Sequence, residues 1–105
     1  MADVKVKVSS GICGMETIIK ASCDDMQTVL IRTETDCVQV MRLALAVAQV
    51  DAMEELFSGF GKGRIMEAAE VNIRHAACPV PAAFLKAVEV AAGMALKKDV
   101  HIIFD

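Results

Sequence analysis

Apolar and polar residues alternate through the first part of the chain, and the period then changes. Val4, Val6 and Val8 are interleaved with Lys5, Lys7 and Ser9, the period-two pattern of a strand that buries one face and turns its lysines outward. Ser9-Ser10-Gly11 ends that strand. Met15 to Ala21 and Thr28 to Thr33 read as two further strands around a turn at Cys23-Asp24-Asp25, an antiparallel hairpin. From Asp36 onward Val40, Leu43, Ala44, Val47 and Ala48 fall on one face of a helix that Thr35 or Asp36 is placed to cap.

Asp51 with Glu54 three residues on has the form of a capping box. Met53, Leu56, Phe57 and Phe60 are the expected apolar face of the short helix it opens, before Gly59 to Gly63 break the chain. A third helix is expected over about Arg64 to Ile73. Pro79 and Pro81 suit the first turn of a fourth, because the N–H that proline lacks has no helical partner there. Phe84, Leu85, Val88, Ala91, Ala92 and Ala95 line its predicted buried side, with an end near Leu96. Val100 to Phe104 is an apolar, β-branched run that reads as a closing strand. The pattern predicts one α+β domain over residues 1–105, an antiparallel sheet of about three to four strands with helices packed on one face.

Composition narrows the function. With 105 residues and 55% hydrophobic positions the chain has enough apolar material for one core. A mean hydropathy of +0.48 makes an apolar face shared with a second copy, a homo-oligomer, the expected default. A net charge of −3 and the absence of Trp and Tyr argue against nucleic acid as a partner. Ala76 to Leu96 is the most apolar long stretch, but Pro79, Pro81, Lys86 and Glu89 within it argue against a membrane span. Met1-Ala2-Asp3-Val4-Lys5 has no basic segment followed by an apolar one, so no secretory signal is expected and the reducing cytoplasm is the expected compartment. Four cysteines there point to metal binding or catalysis ahead of disulfides.

Three of the four fall at element ends. Cys13 lies in the glycine-flanked corner Gly11-Ile12-Cys13-Gly14, Cys37 at the start of the first helix and Cys78 at the start of the last. Unpaired N–H groups at a helix start are expected to lower a thiol's pKa toward the thiolate that binds metal. His75, three residues before Cys78, is a candidate fourth ligand, and soft thiolates select zinc or iron–sulfur clusters over magnesium or calcium. Cys23, beside two aspartates, reads as structural, and so does His101. The seven methionines are spread along the chain as core filler. Gly59-Phe60-Gly61-Lys62-Gly63 follows a helix where a phosphate loop would follow a strand, so it reads as an interhelical turn.

The order of elements and the three cysteines resemble the IscU/NifU N-terminal-like family of iron–sulfur cluster scaffolds. That family has a Cys-Gly corner leading into a hairpin, a cysteine opening the next helix and a third cysteine before the last long helix; here these fall on Cys13-Gly14, Cys37 and Cys78. Met15 stands where the family usually has an aspartate, and Ala77 where it has a histidine, with His75 displaced from that place. The resemblance covers roughly Gly11 to Leu96. It implies a distant relative, an uncharacterised family with a NifU/IscU-like fold whose cysteines converge at one exposed end to hold a [2Fe–2S] cluster, and iron–sulfur or sulfur-transfer proteins as partners. The leading expectation is therefore a non-enzymatic metal-binding protein that holds an iron–sulfur cluster or zinc on Cys13, Cys37 and Cys78, with His75 as possible fourth ligand. Two alternatives stay open: a persulfide carrier acting through Cys37 alone, and a metal-free interaction domain with buried cysteines.

Overall fold

Val4 enters the core while Lys5 and Lys7 stay in water, as the alternation requires, and this forms β1 (Asp3–Ser9). The computed structural model describes residues 3–105; Met1 and Ala2, which open the segment read for a secretory signal, lie outside the described residues. β2 (Glu16–Cys23) and β3 (Thr28–Thr35) make the expected hairpin, in register from Thr17 opposite Thr35 to Cys23 opposite Val29. A short β4 (Gln49–Asp51) pairs with the start of β3, setting Val50 opposite Val29. The sheet is antiparallel throughout, in the order β1-β2-β3-β4.

Register explains the single covered face. Val4, Ala21 and Ile31 lie directly across from one another, as do Cys23, Val29 and Val50, and all six are buried. Side chains opposite one another across strands share a face, so the helices cover this one. The other face carries Lys5, Lys20, Arg32 and Glu34 in water, with Lys20 Nζ 2.8 Å from Glu34 Oε2.

Four helices complete the α+β fold: α1 (Val38–Ala46), α2 (Ala52–Phe57), α3 (Arg64–Asn72) and α4 (Val80–Ala91). α4 lies across β1 and β2, α1 on β3, and α3 against both α1 and α4. Phe84 of α4 is fully enclosed, along with Ile19, Leu43, Ile65 and Val88. Burial of side chains of this size stabilises by roughly 1.5–3 kcal/mol each, which makes this layer the main support of the fold.

Several expected features differ in the structure. Val100–Phe104 forms no strand and is exposed, His101 with it; the fourth strand is Gln49–Asp51, in the stretch that follows α1. α4 stops at Ala91, short of Leu96, because Gly93 takes φ 78° and the N–H groups of Gly93 and Met94 turn back to the carbonyls of Val90 and Glu89. That pair of bonds is a Schellman stop, which requires the left-handed backbone glycine adopts freely. The N-cap of α1 is Cys37 itself, with no side-chain capping bond, where Thr35 or Asp36 was expected.

α2 is capped as its sequence predicts, with Asp51 Oδ2 accepting the Glu54 N–H at 2.9 Å, and Leu56 packs partly buried against the core as expected, but the rest of its expected apolar face is inverted. Met53, Phe57 and Phe60 are exposed, and Ala52 and Glu55 are buried. Glu55, only 3% exposed, accepts the N–H of Arg64 on Oε2 and that of Ile65 on Oε1, both at 2.9 Å. One carboxylate thus satisfies two orphan donors at the start of α3 and places negative charge at that helix's positive end. The Gly59–Gly63 segment is the interhelical turn that brings this about. Gly63 has φ 95°, and a Cβ there would lie 3.1 Å from Glu55 Oε1. Among the described residues no helix is long and apolar enough to cross a membrane.

Candidate functional site

The hairpin register decides which cysteines can meet. Ser9 pairs with Glu16 and Thr17 with Thr35, so the β1–β2 turn and the exit of β3 share one end of the sheet. Cys13 occupies the β1–β2 turn, closed by a bond from the Gly14 N–H to the Gly11 carbonyl (2.9 Å), with φ 89° at Gly11 and 69° at Gly14. The two glycines let the chain reverse tightly and leave Cys13 exposed at the tip. Cys37 follows β3 at the same end; its N–H donates to Thr35 Oγ1 at 3.2 Å and its carbonyl accepts the Met41 N–H, opening α1.

Cys78 arrives from the far end of the sequence. Its N–H donates to the His75 carbonyl at 3.0 Å, a turn through Ala76 and Ala77 that delivers the chain to Pro79, the N-cap of α4. Cys37 and Cys78 are both half-buried at the edge of the core, and all four cysteines are free thiols.

Electrostatics ties the three together. Burial pushes the Cys78 thiol above its ordinary pKa; the Val80 N–H at the start of α4 pulls it down, and the negative charges of Cys37 and Cys13 push it up again. The lowering expected from the helix start is thus present at Cys78 but outweighed by desolvation and by its thiol neighbours. Cys37 and Cys13 thus act on Cys78 in the direction expected of like charges.

The sheet surface beneath this end is polar where the rest of the core is aliphatic. Thr17, 1% exposed, shares a 2.9 Å hydroxyl–hydroxyl hydrogen bond with Thr35. Thr33, two residues before Thr35 on the same face, has a buried hydroxyl with no hydrogen-bond partner among the described residues. These threonines were missed in the sequence because threonine in a strand reads as β propensity alone. Their clustering becomes visible only once the register of β2 against β3 is known.

Other candidates fall elsewhere. Cys23 closes β2 at the opposite end of the sheet, 3% exposed and packed in the core, as its structural reading expects, although it is a strand residue rather than part of the turn. His75 is exposed, joined to Cys78 through its backbone carbonyl. Among the described residues no group of three or more His, Cys, Asp or Glu side chains is placed to hold a metal ion. Two shallow depressions on the surface involve Thr28, Gln49 and neighbouring residues near β4, and none of the three clustered cysteines lines them.

No curated protein and no solved structure is found to match the chain. Residues 4–104 match one described family, and by that extent the chain belongs to DUF6951, a family of unknown function.

Proposed function

We propose that this protein holds an iron–sulfur cluster, or zinc, on Cys13, Cys37 and Cys78 and acts as a scaffold- or carrier-like metal-binding protein. The reading is supported by the placement of three free thiols on three separate elements, Cys13 in the β1–β2 turn and Cys37 at the exit of β3 at one end of the sheet and Cys78 before α4, with the charges of Cys13 and Cys37 acting on Cys78. Soft thiolates are the donors that iron–sulfur clusters and zinc take. A single zinc ion requires every thiolate at about 2.3 Å. A two-iron cluster divides its ligands between two metals and so accepts a wider spread of thiols, which favours the cluster over zinc here.

The donor at α1 supports the same reading. Cysteine at an N-cap gives up the side-chain bond that Ser, Thr, Asp or Asn would supply, worth typically ~1 kcal/mol, and Cys37 makes none. The unpartnered Thr33 hydroxyl offers a donor near this end, and hydrogen bonds to the sulfurs are among the influences that tune a cluster's potential. His75, three residues before Cys78, is the nearest imidazole in sequence and the fourth ligand of this proposal. The resemblance to the IscU/NifU-type scaffolds points the same way, and with it come a cytoplasmic setting and partners in iron–sulfur or sulfur transfer.

A second reading uses Cys37 alone. Its thiolate would attack the outer sulfur of a donor persulfide; the new S–S bond forms on Cys37 and the donor leaves as its thiolate. The test separates the two. Protein purified without oxygen is measured by ultraviolet–visible absorption together with iron, sulfide and zinc analysis, before and after anaerobic reconstitution. Visible absorption with matching iron and sulfide, lost in Cys37→Ser, is the expected result. A colourless, metal-free protein after reconstitution, or a Cys37→Ser variant with full metal content, overturns the cluster assignment.

A further inference from the structure

β1 is an edge strand: it pairs with β2 on one side, and no strand pairs with its other side among the described residues. Its inward side chains show the consequence. Val4 is buried, but Val6 and Val8 are only partly so, whereas Ile19 and Thr17, their partners on β2, are enclosed. The core is open along this edge.

The same chain carries an unplaced segment of matching pattern. Beyond Met94, which packs on the core, Val100, Ile102, Ile103 and Phe104 are between 63% and 94% exposed. Among the described residues the backbone from Val100 to Phe104 makes no hydrogen bond. An apolar, β-branched run held in water is unfavourable, and it is the sequence expected to pair as a strand.

The two segments are complementary residue by residue. Asp3–Ser9 places Val4, Val6 and Val8 on the helix-covered face and Lys5 and Lys7 on the open face. In extended form Asp99–Asp105 would place Val100, Ile102 and Phe104 on one face and Asp99, His101, Ile103 and Asp105 on the other. Laid beside β1, the first set continues the core past Val6 and Val8. The second brings two aspartates to the face that bears the two lysines, the charge pairing that favours neighbouring strands.

We propose that Asp99–Asp105 of one copy adds as a fifth strand to the β1 edge of a second copy, and that the exchange is reciprocal, giving a two-fold symmetric dimer. A single chain offers both halves and leaves them apart, with the tail in solvent and the edge uncovered. Reciprocal exchange covers both edges and both tails at once.

The test is sedimentation velocity of the full chain over a wide concentration range, with hydrogen exchange of the tail amides. A monomer–dimer equilibrium is expected, with slowed exchange over Val100–Phe104 in the dimer. Ile102→Asp should weaken association at least about tenfold, an easily resolved shift, and restore fast exchange. Ile103→Asp, on the face beside Lys5 and Lys7, should leave the dimer intact. Ile102 is 79% exposed in the single chain, so the variant retains its fold, and a thermal melt verifies this. A full chain that stays monomeric, whether its tail amides are free or protected by docking on its own edge, overturns the proposal, as does a dimer indifferent to Ile102→Asp.

Discussion

The two ends of the sheet use the same residue types for opposite purposes. At the β2–β3 hairpin end, polar groups are matched to one another. Asp25 Oδ1 accepts the N–H groups of Gln27 and Thr28 at 3.0 and 2.7 Å. Close by, Arg64 donates through Nη1 to the Gln49 carbonyl and through Nη2 to that of Ala46, and Glu55 receives the start of α3. Cys23 is enclosed there too, its thiol donating to Asp25 Oδ1 at 3.8 Å. At the other end Cys13 is exposed, Cys37 is half-buried, the Thr33 hydroxyl has no hydrogen-bond partner among the described residues, and α1 begins without a side-chain cap. Polar groups are thus more fully satisfied at the hairpin end than at this one.

The largest effect is expected where the satisfied region is broken. Glu55→Ala removes both bonds to α3 and leaves two N–H groups at a buried helix start without an acceptor. Hydrogen bonds to a charged group are worth about 1.5–3 kcal/mol each, so a loss of about 3 kcal/mol or more in urea denaturation is expected. Gly63→Ala should destabilise by about 1–3 kcal/mol, through both its φ of 95° and the approach of the new Cβ to Glu55. A Glu55→Ala variant as stable as the parent would show that this carboxylate is not the keystone of the α2–α3 corner.

A smaller and opposite-signed pair tests the cysteines. Cys23→Ser puts a more polar hydroxyl at a core position where the acceptor of the thiol, Asp25 Oδ1, lies 3.8 Å from the sulfur, and should cost about 1–3 kcal/mol without altering metal content. Cys37→Ser gives α1 a better capping residue and should leave stability unchanged or raise it by up to about 1 kcal/mol, while metal binding is lost. Equal destabilisation by the two substitutions, read from the same denaturation curves, would remove the distinction between the ends.

The sequence revealed these ends unequally. The period-two strands, the long apolar faces of α1 and α4, and the three cysteines at element ends were all legible, because each rests on a local pattern. The inverted face of α2 was not. Met53 and Phe57 are the residues a sequence would bury, and Glu55 is the one it would expose; only the left-handed Gly63, bringing α3 back to that carboxylate, reverses the order. β4 was hidden because three residues are too few to show a period. The threonine floor was hidden because it is a relation between two strands. For Val100–Phe104 the strand pattern is real, and what the single chain lacks is a partner for it.

The smallest effect is a titration, and it reports on the cysteine end directly. Cys78 is held above the ordinary thiol range first by burial and then by the charges of Cys37 and Cys13, against the lowering by the Val80 N–H. In metal-free protein, alkylation of Cys78 followed by mass spectrometry should therefore show a midpoint above about 8.5, the value for an unperturbed thiol. Replacing Cys13 and Cys37 together by serine removes the like charges and leaves the burial, so the midpoint should fall but remain raised. Stability follows the same sign. The folded chain favours the neutral thiol, so this contribution is complete below the ordinary thiol pKa and is lost as pH rises through Cys78's raised value. A midpoint that does not move in the double variant would mean that the thiols do not sense one another, and would separate Cys78 from the other two. A downward shift would establish that the charges of Cys13 and Cys37 act on Cys78.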